Sequence, residues 1–241
     1  MNLYLNVPYA EKDEAKKFGA KWNPKLKKWY IQIYLDEPEK YLDFSKWLLK
    51  DNDENIIATQ YIYIIEGQQS CWKCKHPTRV IGLGVSDIIQ IYGEVDEPHI
   101  EFDEDELHLA WVDHENDIPP KLLQYLKSTY SVKTSYSKTL GEKCFANHCD
   151  CCGALQGNWF LFDEPDSPLS SCVDGNELIE RMGRLKIKYI PIDPALQLNW
   201  NVAFCSNDYA YFEYAPQEEL ILADDPNDEY ISYEELYKIN R

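Results

Sequence analysis

The sequence predicts an α+β protein with more strand than helix: a small β-α-β module at the start, then a strand-rich domain. Three observations carry that expectation. The chain has 241 residues, enough for a core without disulfide staples, and 44% apolar against 27% charged residues is ordinary globular usage. β-branched and aromatic runs recur along it, whereas few segments keep an apolar period near that of a helix. Charge is unevenly placed: residues 1–34 hold seven lysines against Glu11, Asp13 and Glu14, a balance of +4, which leaves −22 for the remainder of a chain of net charge −18. A basic start joined to an acidic body reads as two modules, or as one docked on the other by charge.

In order, Leu3, Leu5 and Val7 alternate as in a half-buried strand that Pro8 ends. Ala10 to Phe18 has the spacing of a helix with Ala15, Phe18 and Glu11 on one side, and Gly19 stops it. Ala20 to Pro24 reads as a turn, and Lys28 to Tyr34 as an aromatic return strand. Glu37 to Lys50 spaces Tyr41, Leu42, Phe44, Trp47, Leu48 and Leu49 as an amphipathic helix, and the polar run 51–55 follows. The domain limits are therefore set at 1–50 and 56–241.

Beyond that break, strands are expected at 58–65, 78–85, 88–92, 158–162, 187–191, 197–205 and 209–214, and helices at 119–129, 176–182 and 233–239. No internal repeat is visible. No apolar run approaches the length of a bilayer span, and the start lacks the basic-then-apolar plan of a secretory signal, so the expected location is cytoplasmic and no membrane partner is expected.

Eight cysteines lie at 71, 74, 144, 149, 151, 152, 172 and 205. In a reducing compartment, close pairs point to metal before disulfide. Cys71-Trp72-Lys73-Cys74 is C-x-x-C, and Cys149-Asp150-Cys151-Cys152-Gly153 contains a second, with Gly153 and Trp72 shaping the loops. Two such pairs supply the four thiolates that tetrahedral zinc takes at about 2.3 Å, so Cys71, Cys74, Cys149 and Cys152 are the expected ligands of one structural zinc. Cys151 or His148 could replace one thiolate, and Cys144 could join them. Cys74 and Cys149 enclose 74 residues, longer than a common zinc ribbon allows, so the plan is an interrupted ribbon with an inserted subdomain, 75–148. Closure entropy grows only logarithmically with length, which tolerates such an insertion. Cys172 and Cys205 each stand alone and read as core. A closed four-thiolate site has no open position for water and performs no hydrolysis.

Residues 3–9, Lys12 to Ala20, Trp22 and Lys28-Trp29-Tyr30 together resemble a short domain of unknown function found at the ends of conjugative-plasmid primases and other mobile-element proteins. That resemblance covers residues 1–34 and implies company in DNA metabolism. Cys71 to Cys74 with Tyr136 to Thr139, Ala146 to Cys149, Cys152 to Gly157 and Asp163 to Pro165 resemble an uncharacterised bacterial group, whose paired cysteines imply metal ligands.

Lys12, Lys16, Lys17, Lys21 and Lys28 beside Trp22, Trp29 and Tyr30 form the mixture that binds single strands through phosphate contacts and stacking; equally, the aromatics could be a small core and the lysines its solvated face. The acidic runs 101–106 and 224–229 follow no calcium-loop pattern, which leaves only adventitious cations there. Cys144 and His148 would align only on a helix, Gly82-Leu83-Gly84 lacks a dinucleotide fingerprint, and His99, His108 and His114 fit no helical zinc motif and read as surface or loop residues. No catalytic residue is therefore assigned. The sequence reads as a zinc-stabilised, non-catalytic adaptor of bacterial or mobile-element origin, with a protein partner and single-stranded nucleic acid as the ligand of residues 1–50. An acidic, immunity-like inhibitor and a hydrolytic enzyme with a hidden pocket stand as alternatives.

Overall fold

The structure is a computed structural model that describes residues 1–33, 38–48, 54–94, 97–164, 166–193 and 195–238. Tyr34, Glu37, Leu49, Lys50, the polar residues 51–53 and Ile239, on which sequence expectations fell, lie outside the described residues.

The first module comprises β1 (Asn2–Leu5), a 3-10 turn, α1 (Lys12–Lys17), β2 (Lys21–Asn23) and β3 (Lys28–Gln32). β1 and β2 flank β3, both antiparallel to it, with Leu3 opposite Ile31 and Trp22 opposite Trp29. The expected β-α-β thus becomes strand, helix, hairpin. Residues 21–23 pair instead of turning because Asn23 Oδ1 accepts from the Lys25 and Leu26 amides and moves the turn along the chain. Residues 38–47, expected as an α-helix, form a 3-10 helix. Aromatics three apart eclipse in that geometry, and Phe44 and Trp47 do so with ring centroids 6.0 Å apart. Phe44, Trp47 and Leu48 pack with Leu3, Leu5 and Ala15, and the cluster continues into Ile57, Ile89 and Ile91 of the next sheet.

That sheet is built on a long hairpin, β4 (Glu54–Ser70) and β5 (Pro77–Glu94). The strands expected at 78–85 and 88–92 are one, because an irregularity absorbs the break: the register shifts between Ala58 and Tyr61, Asp87 opposite has φ 51°, and the Thr59 hydroxyl donates to the Asp87 carbonyl. β6 (Glu97–Asp103) and β7 (His108–Trp111) pair in succession along one edge of β5. After α2 (Pro120–Thr129) come β8 (Val132–Ser137), β9 (Glu142–His148) and β10 (Leu155–Gln156), which form a separate three-stranded sheet. Residues 75–148 are therefore not an inserted subdomain as a whole. Their first part builds the central sheet, since a tight hairpin keeps β4 and β5 adjacent, and only β8 and β9 stand apart.

α3 (Asn158–Phe162), α4 (Gly175–Met182), β11 (Lys186–Asp193), β12 (Leu196–Leu198), β13 (Asn201–Ala203), α5 (Ala210–Tyr214), β14 (Gln217–Glu219), β15 (Ile231–Ser232) and α6 (Tyr233–Leu236) complete the described elements. The central sheet runs β13-β7-β5-β4-β11-β14, with β6, β12 and β15 alongside β5, β4 and β11. Both faces of β4 are covered: Ile62 and Ile64 face a cluster with α2 and α6, Tyr63 and Ile65 one with α3, α4 and α5. Residues 158–162 and 209–214, expected as strands, enclose α3 and α5. In α3, Leu161 and Phe162 are buried together while Trp159 and Phe160 are exposed, so the run does not alternate. The strand expected at 197–205 is split between β12 and β13, which pair with different partners, β4 and β7.

Candidate metal centre

The two C-x-x-C loops are the tips of two hairpins. Residues 71–76 join β4 to β5 between the pair Ser70 and Pro77; residues 149–154 join β9 to β10 between His148 and Leu155. The tips close in the same way. The Cys71 amide donates to the His76 carbonyl and the Lys75 amide to that of Cys71; the Cys149 amide donates to Ala154 and the Gly153 amide to Cys149. Lys75 and Gly153, at matching positions, both take positive φ, 62° and 68°. Gly153 meets that demand without strain, which is the turn the sequence suggested.

Facing one another, the tips bring Cys71 Sγ to 3.7 Å from Cys152 and Cys74 Sγ to 3.6 Å from Cys149. All four sulfurs lie within 4.8 Å of one another, close enough to hold one metal ion. These separations exceed a disulfide of about 2.05 Å, and they match the edge of about 3.8 Å between sulfurs placed tetrahedrally at about 2.3 Å from one ion.

Residues that are not ligands hold the tips in register. Trp72 Nε1 donates to the Leu155 carbonyl at 2.7 Å, and Gln156 Nε2 reaches Cys71 Sγ at 3.5 Å. Asp150 accepts from the Arg79 amide and the Ser131 hydroxyl, while its own amide donates to Thr78 Oγ1. Deeper, the Asn147 side chain is bonded to the Ile81 backbone of β5. The sequence assigned no such role to Gln156, Asp150, Thr78 or Asn147, since each makes a contact with a residue 66 or more positions away in sequence.

The thiols do not behave alike. Burial opposes ionisation of Cys71, yet the amides of Cys74 and Lys73 bring it down to about 6. For Cys149 the amide of Cys152 is the largest influence and lowers it. Cys74 is favoured by the His76 amide, but burial and the three neighbouring thiols push it up to about 12. Four sulfurs this close cannot all carry charge unless a cation sits among them.

The proposed substitutes stand elsewhere. Cys151 is exposed, and its amide donates to Cys149 Sγ. His148 is buried, with Nε2 on Ser135 Oγ at 2.9 Å and Nδ1 on the Ala146 carbonyl, and burial lowers its pKa. Cys144 is buried too, and burial raises its pKa. Cys172 and Cys205 correct the sequence reading, for Cys172 is exposed and its thiol contacts that of Cys205. His108, expected at the surface, is buried on β7.

On the first module, Lys16, Lys17, Lys21 and Trp22 are exposed, Lys12 partly so. Trp29 belongs to the core, so it offers no free face for stacking. Lys28 and Tyr30 are half-buried on the opposite face, where Lys28 lies over the Tyr233 ring and burial lowers its pKa. There the module meets α6: Tyr4 and Tyr233 rings are 4.6 Å apart, and Lys25 pairs with Glu234 at 2.6 Å.

Residues 2–48 match the family profile of a domain of unknown function, DUF5710. Two proteins of Escherichia coli, each a DNA primase TraC, are 46% and 43% identical over 44 residues; the match covers 18% of this chain but only 3% and 4% of those proteins. The matched stretch extends past residue 34 through the 3-10 helix, whose Trp47 donates to Glu11 at 2.7 Å and shares the module's core. It ends before the cysteines. No solved structure matches.

Proposed function

We propose that this chain is a zinc-stabilised binding protein of mobile-element origin, in which residues 1–50 contact single-stranded nucleic acid or a protein partner and residues 56–241 carry the metal-clamped body. The convergence of Cys71, Cys74, Cys149 and Cys152 on hairpin tips carries this reading. Four thiolates favour zinc among abundant metals and leave no position for a substrate, so the ion clamps two sheets and performs no chemistry. The interrupted zinc ribbon is the same proposal in topological terms. For the first module, the likeness to a segment of a DNA primase and the exposed Lys16, Lys17, Lys21 and Trp22 support contact with a strand. The net charge of −18 restricts such contact to this corner.

The experiment uses the full chain. Metal analysis of the purified protein is expected to find about one zinc per chain. Fluorescence anisotropy with a labelled single strand is expected to show binding that weakens as salt rises. A metal-free native protein would remove the clamp, and absence of salt-sensitive binding would remove the nucleic-acid role.

A further inference from the structure

A second cluster lies where β6 hands over to β7 along the edge of β5. Asp103 ends β6 opposite Ile88, and His108 opens β7 opposite Val85, so the loop between them crosses the irregularity at Asp87. This brings a ligand atom each from Asp103, Glu106 and His108 within 4.8 Å of one another.

His108 distinguishes the cluster from an ordinary acidic patch. Its ring is 2% exposed and Phe204 lies against it, centroids 4.6 Å apart. Nδ1 is 2.7 Å from Asp208 Oδ2. Asp208 is itself 1% exposed, and its carboxylate also accepts from the Ser171 hydroxyl and the Cys205 amide. An acceptor so furnished holds the ring by Nδ1 and turns Nε2 toward Asp103 and Glu106. Nε2 is the one buried side-chain nitrogen or oxygen among the described residues that lacks a hydrogen-bond partner. Asp103 Oδ2 lies 3.2 Å from it, outside hydrogen-bonding direction. That separation is what two ligand atoms keep when each is about 2.1 Å from one ion, about 3.0 Å at a right angle and about 3.4 Å at the tetrahedral angle.

We propose that Asp103, Glu106 and His108 bind a divalent first-row cation, with Asp208 as the residue that orients the imidazole. One imidazole and two carboxylates suit manganese or ferrous iron better than a thiol-seeking ion. Three protein ligands leave positions open for water or a ligand oxygen, unlike the closed cysteine site. The same loop directs Asp105 into an open groove also lined by Tyr61, Tyr63 and Asp87.

The test is manganese binding to the full chain already holding one zinc, followed by electron paramagnetic resonance and equilibrium dialysis. One manganese per chain is expected, with nitrogen coupling from His108 in the pulsed spectrum. Asp103→Asn and Glu106→Gln, both on the solvent side, should each weaken binding about tenfold or more while zinc content and melting temperature stay put. No binding up to about 1 mM manganese, equal binding by both variants, or a bound ion without nitrogen coupling would overturn the assignment.

Discussion

The Asn147 side chain exchanges two hydrogen bonds with the backbone of Ile81, at 2.9 and 2.8 Å, and so stitches β9 to β5 as a strand neighbour would. All these groups are buried. Asn147→Ala should therefore orphan a backbone amide and a carbonyl and cost about 2–4 kcal/mol. Urea unfolding of metal-loaded protein measures it. A loss under about 0.5 kcal/mol would mean that water replaces the side chain.

Cys151 and Cys152 are adjacent, yet only Cys152 faces Cys71. Cys152→Ser should abolish stoichiometric zinc retention against a competing chelator, whereas Cys151→Ser should retain it. Because β4 and β5 are held by their own ladder and by the cores on both faces, chelation should release residues 71–76 and 149–154 and leave the central sheet folded. Amide exchange read along the chain checks this: fast exchange confined to the tips is expected, and exchange throughout β4 and β5 would contradict it.

The cysteine site was legible because its information is local: each C-x-x-C lies within a turn, and turn chemistry such as Gly153 is written beside it. The strand-rich α+β class and the helices at 120–129 and 175–182 were legible from periodicity. Residues 158–162 and 209–214 were not, because short aromatic runs suit either state and packing against β5 and Leu169 decided. The His108 cluster was hidden for another reason: Asp208, which buries and orients the ring, is 100 residues away.

Glu115 joins two elements: its carboxylate accepts from Lys127 Nζ of α2 at 2.6 Å and from the Thr134 hydroxyl and amide of β8. Burial alone would raise its pKa, but those donors hold it below the usual carboxylate range. A depressed folded value means that the contribution is fully present above the unfolded value of about 4.3 and is lost as pH falls through the folded one. Stability should therefore fall on acidification through that window, and Glu115→Gln should be less stable at neutral pH yet flatter in acid. Parallel acid profiles for the two proteins would refute the assignment.

Trp22 and Trp29 stand opposite each other across β2 and β3 with ring centroids 5.4 Å apart, yet Trp22 is 46% exposed and Trp29 8%. Identical side chains at neighbouring positions should therefore separate stability from binding. Trp29→Ala empties the core beside Leu3, Leu5 and Ile31 and should cost about 3–5 kcal/mol. Trp22→Ala removes an exposed ring that Lys21 adjoins; it should leave the unfolding midpoint nearly unchanged but weaken single-strand binding by about 1–3 kcal/mol, with Trp22→Tyr restoring most of it. If Trp22→Ala binds as the parent does, the exposed ring is merely the rim of a small core, and the lysines around it serve solubility alone.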